Sequence, residues 1–157
     1  MLQTLVQHRL EFILVGGVAC ALQGAPIVTQ DVDIVYRNEG ANIARLNTAL
    51  TELNGVARGD SRRLPFNETH LRTIGDKLAM TDARPLDVLG SINDGLLCED
   101  LIDSPDLLEV AGAAIHVLSL KRLIELRRQP ARPKDLAVLP VLEATLRERQ
   151  ALDRDGK

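Results

Sequence analysis

The stretch FILVGGVACALQGAPIVTQDVDIVY, residues 12–36, decides the fold. Phe12-Ile-Leu-Val15 is a compact apolar run that stops at Gly16-Gly17, and it reads as a buried strand. Val18 to Leu22 suits a short helix, ended by Gly24 and Pro26. Asp31 to Tyr36 is rich in β-branched residues and alternates polar with apolar at its start, so it forms a second strand. The order is strand, glycine turn, helix, strand.

Side chains at i and i+2 of a strand share a face, so Asp31 and Asp33 project together while Val32 and Ile34 enter the core. Two carboxylates held this close repel each other unless a cation lies between them, and a hard divalent ion, Mg²⁺ or Mn²⁺, is their natural partner. Aspartate is poorly suited to strands, which sets this pair apart from an ordinary solvated strand face. Gly16-Gly17 adds to it, because glycine lets the backbone approach a phosphate and a helix N-terminus offers unpaired N–H groups.

Outward from this stretch, residues 2–10 carry Leu2, Leu5, Val6 and Leu10 at helical spacing, and residues 41–53 form an amphipathic helix on Ile43, Leu46, Leu50 and Leu53. Gly55 to Asn67 is polar, contains several arginines and has no period, so it is expected to be a loop. Lys77–Thr81 and Leu86–Leu89 flank the turn-forming Asp82-Ala-Arg-Pro85 as an antiparallel hairpin. Within it Asp87, between Leu86 and Val88, projects from one face of a strand whose other face is buried. If that strand neighbours the Asp31 strand, Asp87 is a third carboxylate, able to bind metal or to accept a proton from an attacking hydroxyl. The pattern over 94–109 is uneven and gives no assignment. Ala113–Val117 is a further strand, and Ser119 caps a helix over 120–128 that Pro130 and Pro133 break. Lys134–Arg149 forms the last helix, and Asp153–Lys157 is expected to be a frayed tail. The expected fold is α+β or α/β, a small mixed sheet with packed helices and a helical C-terminal segment. One domain is expected over 1–157, with a core of about 11–118 and a helical part of about 119–150.

Composition narrows the function. With two Phe, one Tyr and no Trp, the core must be built from Leu, Val, Ile and Ala, and no aromatic platform exists for stacking single-stranded bases. A net charge of −3 argues against nonspecific coating of nucleic acid, which rests on neutralising many phosphates. Cys20 and Cys98 have neither disulfide nor metal-ligand spacing and are expected to be small core residues. His8, His70 and His116 show no ligand spacing, and His116, inside an apolar strand, is expected to be a structural residue. Tyr36 is expected in the core near the metal strand. No apolar run reaches the roughly 18 residues that cross a bilayer, and MLQTLVQHRLEF lacks a signal peptide's basic flank and cleavage site. A cytoplasmic protein with no membrane partner is therefore expected. Lys121, Arg122, Arg127, Arg128, Arg132 and Lys134 are opposed by only Glu125, either as a solvated helix face or as a surface for phosphate or RNA. Arg58, Arg62, Arg63 and Arg72 would extend such a surface.

The run from Phe12 to Val35 resembles the core motif of the minimal nucleotidyltransferases of the DNA polymerase β superfamily, in which Gly-Gly or Gly-Ser precedes Asp-x-Asp. It looks closest to the branch associated with toxin–antitoxin and abortive-infection systems. The later LDVLG, residues 86–90, resembles the strand bearing that family's third carboxylate, and VLSLKRLIELRRQPARPKDL, residues 117–136, its helical C-terminal part. The resemblance implies that Gly16 and Gly17 contact a triphosphate, that Asp31 and Asp33 ligate Mg²⁺ or Mn²⁺, and that Asp87 completes the acidic set. It also implies phosphate contact for Lys121 and Lys134. Such a protein moves a nucleoside monophosphate from an NTP to a protein or RNA acceptor and has a cognate antitoxin or toxin as partner. Gly17 stands where many active members carry Ser, so a phosphate-binding hydroxyl is missing from the motif. This leaves a second expectation open, a non-catalytic relative that binds nucleotide or a partner protein in a regulatory, antitoxin-like role.

Overall fold

The computed structural model describes residues 1–73, 75–103, 105–129 and 132–155. Its helices are α1 (Leu2–Gln7), α2 (Gly16–Leu22), α3 (Gly40–Glu52), α4 (Glu68–Arg72), α5 (Cys98–Leu101), α6 (Leu120–Arg128) and α7 (Pro133–Asp155). Its strands are β1 (Phe12–Val15), β2 (Val32–Tyr36), β3 (Val56–Ala57), β4 (Lys77–Met80), β5 (Pro85–Leu89), β6 (Pro105–Val110) and β7 (Ala113–Leu118). They form one mixed sheet in the order β3-β4-β5-β2-β1-β7-β6. The α/β class and the mixed sheet are those expected from the sequence.

At the centre of the sheet β1 pairs antiparallel with β2, Phe12 opposite Tyr36 and Val15 opposite Asp33. All four residues of β1 are buried, as a short run with no polar residue requires. Helix α2 packs on β1, β2 and β7, and α6 packs on α2 and α7. Leu14, Ile34, Leu46, Leu86, Val88, Val117 and Leu142 are fully enclosed, so the core is aliphatic, with Tyr36 its largest side chain. The Tyr36 hydroxyl donates to the Leu71 carbonyl at 3.1 Å. Cys20 and Cys98 are buried and unpaired, and burial pushes the Cys98 thiol up to about 11, which keeps it protonated and inert.

Several boundaries differ from the sequence expectation. The opening helix stops at Gln7, and Gly16 and Gly17 form the first turn of α2 rather than a turn before it. The expected loop over 55–67 contains β3, which is only two residues long and cannot show a period. The unassigned stretch 94–109 contains α5 and all but the last residue of the edge strand β6, which has no fully buried side chain and exposes Leu107, so its apolar residues do not mark one face. Asp153–Asp155, expected to fray, continue α7, while 156–157 and Pro130 lie outside the described residues. Pro133 opens α7, where its missing N–H leaves no bond unmade. His116 is not a core residue, because the alternation of β7 buries Ile115 and Val117 and turns His116 to the exposed face. No helix among the described residues is long and apolar enough to cross a membrane.

One buried amide ties the far end of the central hairpin. Asn42 of α3, almost wholly enclosed, donates to the carbonyls of Glu11 at 2.9 Å and Arg37 at 2.8 Å, and accepts the Glu11 N–H at 2.8 Å. Glu11 precedes β1 and Arg37 follows β2, so this single side chain closes the hairpin opposite its Asp33 end. Asn42→Ala leaves the Glu11 N–H without a partner and takes one of two donors from each carbonyl, and is expected to remove about 1–3 kcal/mol of stability, a drop of roughly 2–10 °C in melting temperature for a chain of this size. Calorimetric melting checks it, and an unchanged midpoint would contradict the role given to Asn42.

Candidate active site

Strands β2 and β5 run parallel with Val32 beside Leu86, Asp33 beside Asp87 and Ile34 beside Val88. The alternation of β5 encloses Leu86 and Val88 and turns Asp87 to the side that Asp33 occupies. Asp31, immediately before β2, lies two residues from Asp33 and therefore on the same face, with its side chain 45% exposed against 16% for Asp87. The three carboxylates expected from the sequence are thus placed on one side of the sheet, at the end where β1 gives way to α2.

The glycine pair is shaped by these neighbours. Gly16 has φ +70°, and a Cβ there would stand 2.0 Å from Asp33 Oδ2, so only glycine lets the carboxylate lie against the backbone. The Gly17 N–H, in the first turn of α2, acts on the Asp33 carboxyl and favours its charged form. A Cβ on Gly17 would meet Thr29 Cβ at 2.8 Å and Thr29 Oγ1 at 3.0 Å. The empty side chain at Gly17 therefore makes room for Thr29, whose hydroxyl donates to the Asp31 carbonyl at 3.4 Å.

Burial first, then the charges of Asp87 and Asp31, push the Asp33 carboxyl up to about 6, and Arg127 with the Gly17 N–H offsets this only in part. The acidic wall carries more negative charge than the backbone can compensate.

Asp33 and Asp87 open into a cleft of about 540 Å³. Asp76, Ser91 and Asn93 continue its sheet side, and α6 and α7 form the opposite wall with Arg127, Arg132 and Lys134. Asn93 (φ +47°) joins the walls, donating to the carbonyls of Leu126 at 2.8 Å and Gln129 at 2.7 Å at the end of α6. At the other end of α6 the Ser119 hydroxyl accepts the Arg122 N–H, as expected for a cap. Arg122, Arg128 and Arg132 of the basic stretch pair with Glu125, Glu143 and Asp135. Arg127 and Lys134 line the cleft and make no salt bridge among the described residues. Lys121 is exposed on α6 and does not line the cleft.

Arg58 is the residue that sequence reasoning placed only within a general basic surface. Its guanidinium bonds Asp87 and lies 3.9 Å from Asp31. Arg62 and Arg72 instead pair locally with Asp60 and Glu68, and do not extend a basic surface from the cleft. With Arg58 among the carboxylates, no group of three or more His, Cys, Asp and Glu among the described residues is gathered as a ready metal cage. The donor chemistry nevertheless fits a hard divalent ion: aligned carboxylates on one face, one of them pushed up by burial and by the charges of its neighbours.

No family model matches the chain, and a search of curated proteins finds no match. Solved structures are similar. One is a crystal structure from Thermotoga maritima, provisionally assigned as a nucleotidyltransferase, with TM-score 0.57 and 19% identity over 88% of each chain. Another is the solution structure of the antibiotic-resistance factor ANT(2″)-Ia, with TM-score 0.50 and 16% identity over 99% of this chain and 91% of that one. The crystal structure of ANT(2″)-Ia in complex with adenylyl-2″-tobramycin gives TM-score 0.54 and 14% identity over 99% of this chain and 94% of that one. At such identities the likeness is one of fold, and the fold is that of the nucleotidyltransferases.

The raised carboxyl predicts a pH dependence. Because the folded value for Asp33 lies above the ordinary one of 3.8, the native chain binds the proton more tightly than the unfolded chain, and stability falls as pH rises from about 4 through about 6. Asp33→Asn removes this penalty. In EDTA at pH 7.5 the variant is expected to melt a few degrees above wild type, about 1–2 kcal/mol after allowance for the partial exposure of the site. The gap should close as the pH is lowered toward 4. A gap that is constant across this range in thermal melts would refute the assigned cause.

Proposed function

We propose that the protein is a metal-dependent nucleotidyltransferase that moves a nucleoside monophosphate from an NTP to a hydroxyl acceptor and releases pyrophosphate. The observation that carries this reading is the in-register pair Asp33 and Asp87, with Asp31 on the same face, opposite a wall bearing Arg127 and Lys134. Asp31, Asp33 and Asp87 would hold Mg²⁺ or Mn²⁺, which when bound neutralises triphosphate charge and polarises the phosphorus under attack. The N–H groups at the start of α2 and the Thr29 hydroxyl face the phosphates, while Lys134 and Arg127 supply fixed positive charge from the helical side. The acceptor oxygen attacks the α-phosphorus, its proton passes to Asp87, and the bond to pyrophosphate breaks. A protein hydroxyl or an RNA 3′ end is the acceptor suggested by the resemblance to the toxin–antitoxin branch, with a cognate antitoxin or toxin as partner. The tobramycin adduct in the ANT(2″)-Ia structure adds a small-molecule hydroxyl to the acceptors worth assaying.

A second reading, a non-catalytic module that binds nucleotide or a partner, draws on Arg58, which already supplies a cation to Asp87 and Asp31. Labelled-NTP transfer in a lysate with Mg²⁺, together with pyrophosphate release, separates the two. Asp87→Asn is expected to keep NTP binding within a few-fold while transfer falls about 10²–10⁴-fold. Retained full activity would remove Asp87 from the chemical step. Thr29→Val keeps shape and deletes the hydroxyl beside Gly17, and is expected to reduce transfer by about tenfold, as loss of one hydrogen bond to a charged group implies. Unchanged kinetics in that variant would show that the Thr29 hydroxyl does not touch the phosphates.

A further inference from the structure

We infer that Arg58 is a resident counter-ion that holds the place of a divalent cation among the carboxylates and must leave when the metal binds; this rests on the metal-binding reading above. Arg58 follows β3, and its own N–H donates to the Leu78 carbonyl at 2.8 Å, which fixes its backbone to β4. From there the side chain reaches past β4 to Asp87 of β5 and toward Asp31 before β2. One guanidinium is therefore bonded to one of the three carboxylates that a metal would share and stands 3.9 Å from a second. Its positive charge relieves the carboxylate repulsion whenever metal is absent. A divalent ion entering between these carboxylates is repelled by the guanidinium at this range, which favours the departure of Arg58.

The arrangement is also poorly made for permanence. Arg58 Nε is buried and has no hydrogen-bond partner among the described residues, and the remaining bond, from Nη2 to the Ala79 carbonyl, is long at 3.4 Å. A guanidinium built to stay has its donors satisfied. The side chain is 28% exposed, so a route to solvent exists. The next residue, Gly59, has φ +82° and no atom within 4 Å of where a Cβ would be, so nothing packs over the backbone at the base of that route. Metal binding thus includes the displacement of Arg58, and the affinity seen in the intact chain is the intrinsic one reduced by the fraction of molecules in which Arg58 is in place.

The test is calorimetric titration of the full chain with Mg²⁺ and with Mn²⁺, alongside thermal melts with and without metal. Arg58→Gln is expected to bind metal about tenfold tighter than wild type or better, as removal of a competitor that is in place about nine times in ten requires. Arg127→Gln serves as the control for loss of a positive charge at longer range, and its effect is expected to be about two- to threefold. Without metal, Arg58→Gln should melt below wild type, and saturating Mn²⁺ should restore it to the wild-type midpoint or above. Where Arg58→Gln does not fold, Arg58→Lys carries the test: its single ammonium cannot engage both carboxylates, and its affinity should fall between the two. Equal metal affinity in wild type and the Arg58 variant, an equal gain in Arg127→Gln, or a melting loss that metal does not repair would overturn the inference while leaving metal binding intact. No binding heat in either protein at millimolar metal would instead overturn the metal-binding reading, and this inference with it.

Discussion

The register of one strand pair governs the site. Val32, Ile34, Leu86 and Val88 bury one face of the parallel pair β2–β5, and with period two this forces Asp33 and Asp87 out side by side on the other. The apolar burial is non-negotiable for a chain with so few aromatic residues, so the electrostatic conflict comes with it. Four features around the carboxylates offset that conflict: the glycine that lets Asp33 reach the α2 backbone, the Gly17 N–H, Arg127 across the cleft and Arg58 against Asp87. The offset is incomplete, as the Asp33 carboxyl shows, and an incompletely neutralised acidic site is one that gains most from an added cation.

The acidic face was legible in the sequence because it depends on the shortest period a chain can have. Asp31-Val-Asp and Leu-Asp-Val each state which way the carboxylate points as soon as the segment is taken for a strand. Which strands are neighbours was not stated, since parallel pairing between residues more than fifty apart leaves no local mark. Arg58 was read as one loop arginine among several because β3 is too short to display alternation. Asn42 and Asn93 look like ordinary polar residues until their backbone partners are known, and apart from Arg37, five residues from Asn42, those partners lie 31 to 36 residues away. The sequence marks Gly17 as a position of close approach to phosphate, and the side chain that stands nearest to it in the fold is Thr29.

The two walls of the cleft are joined by different forces. The sheet wall is held by strand pairing and aliphatic packing, which tolerate small adjustments. The helical wall is tied to it by directional bonds from Asn93, and by Gln23 at the end of α2. The buried Gln23 amide donates to Asp106 at 2.8 Å and to the Leu118 carbonyl at 3.1 Å, while its oxygen accepts from Arg149 of α7 at 2.5 Å. Hydrogen bonds of this kind contribute modestly to net stability but lose strength steeply when bent or stretched. The distance between the carboxylates of β2 and β5 and the cations of α6 and α7 is therefore set by geometry-sensitive ties, while the existence of the fold is set by the aliphatic core. Under the proposed function the site depends on that distance more than on overall stability, because Coulomb energy in a partly dry cleft changes quickly with separation. In this chain the residues that make the fold and those that set the cleft are largely different ones. Gly16 and the β2–β5 register belong to both sets.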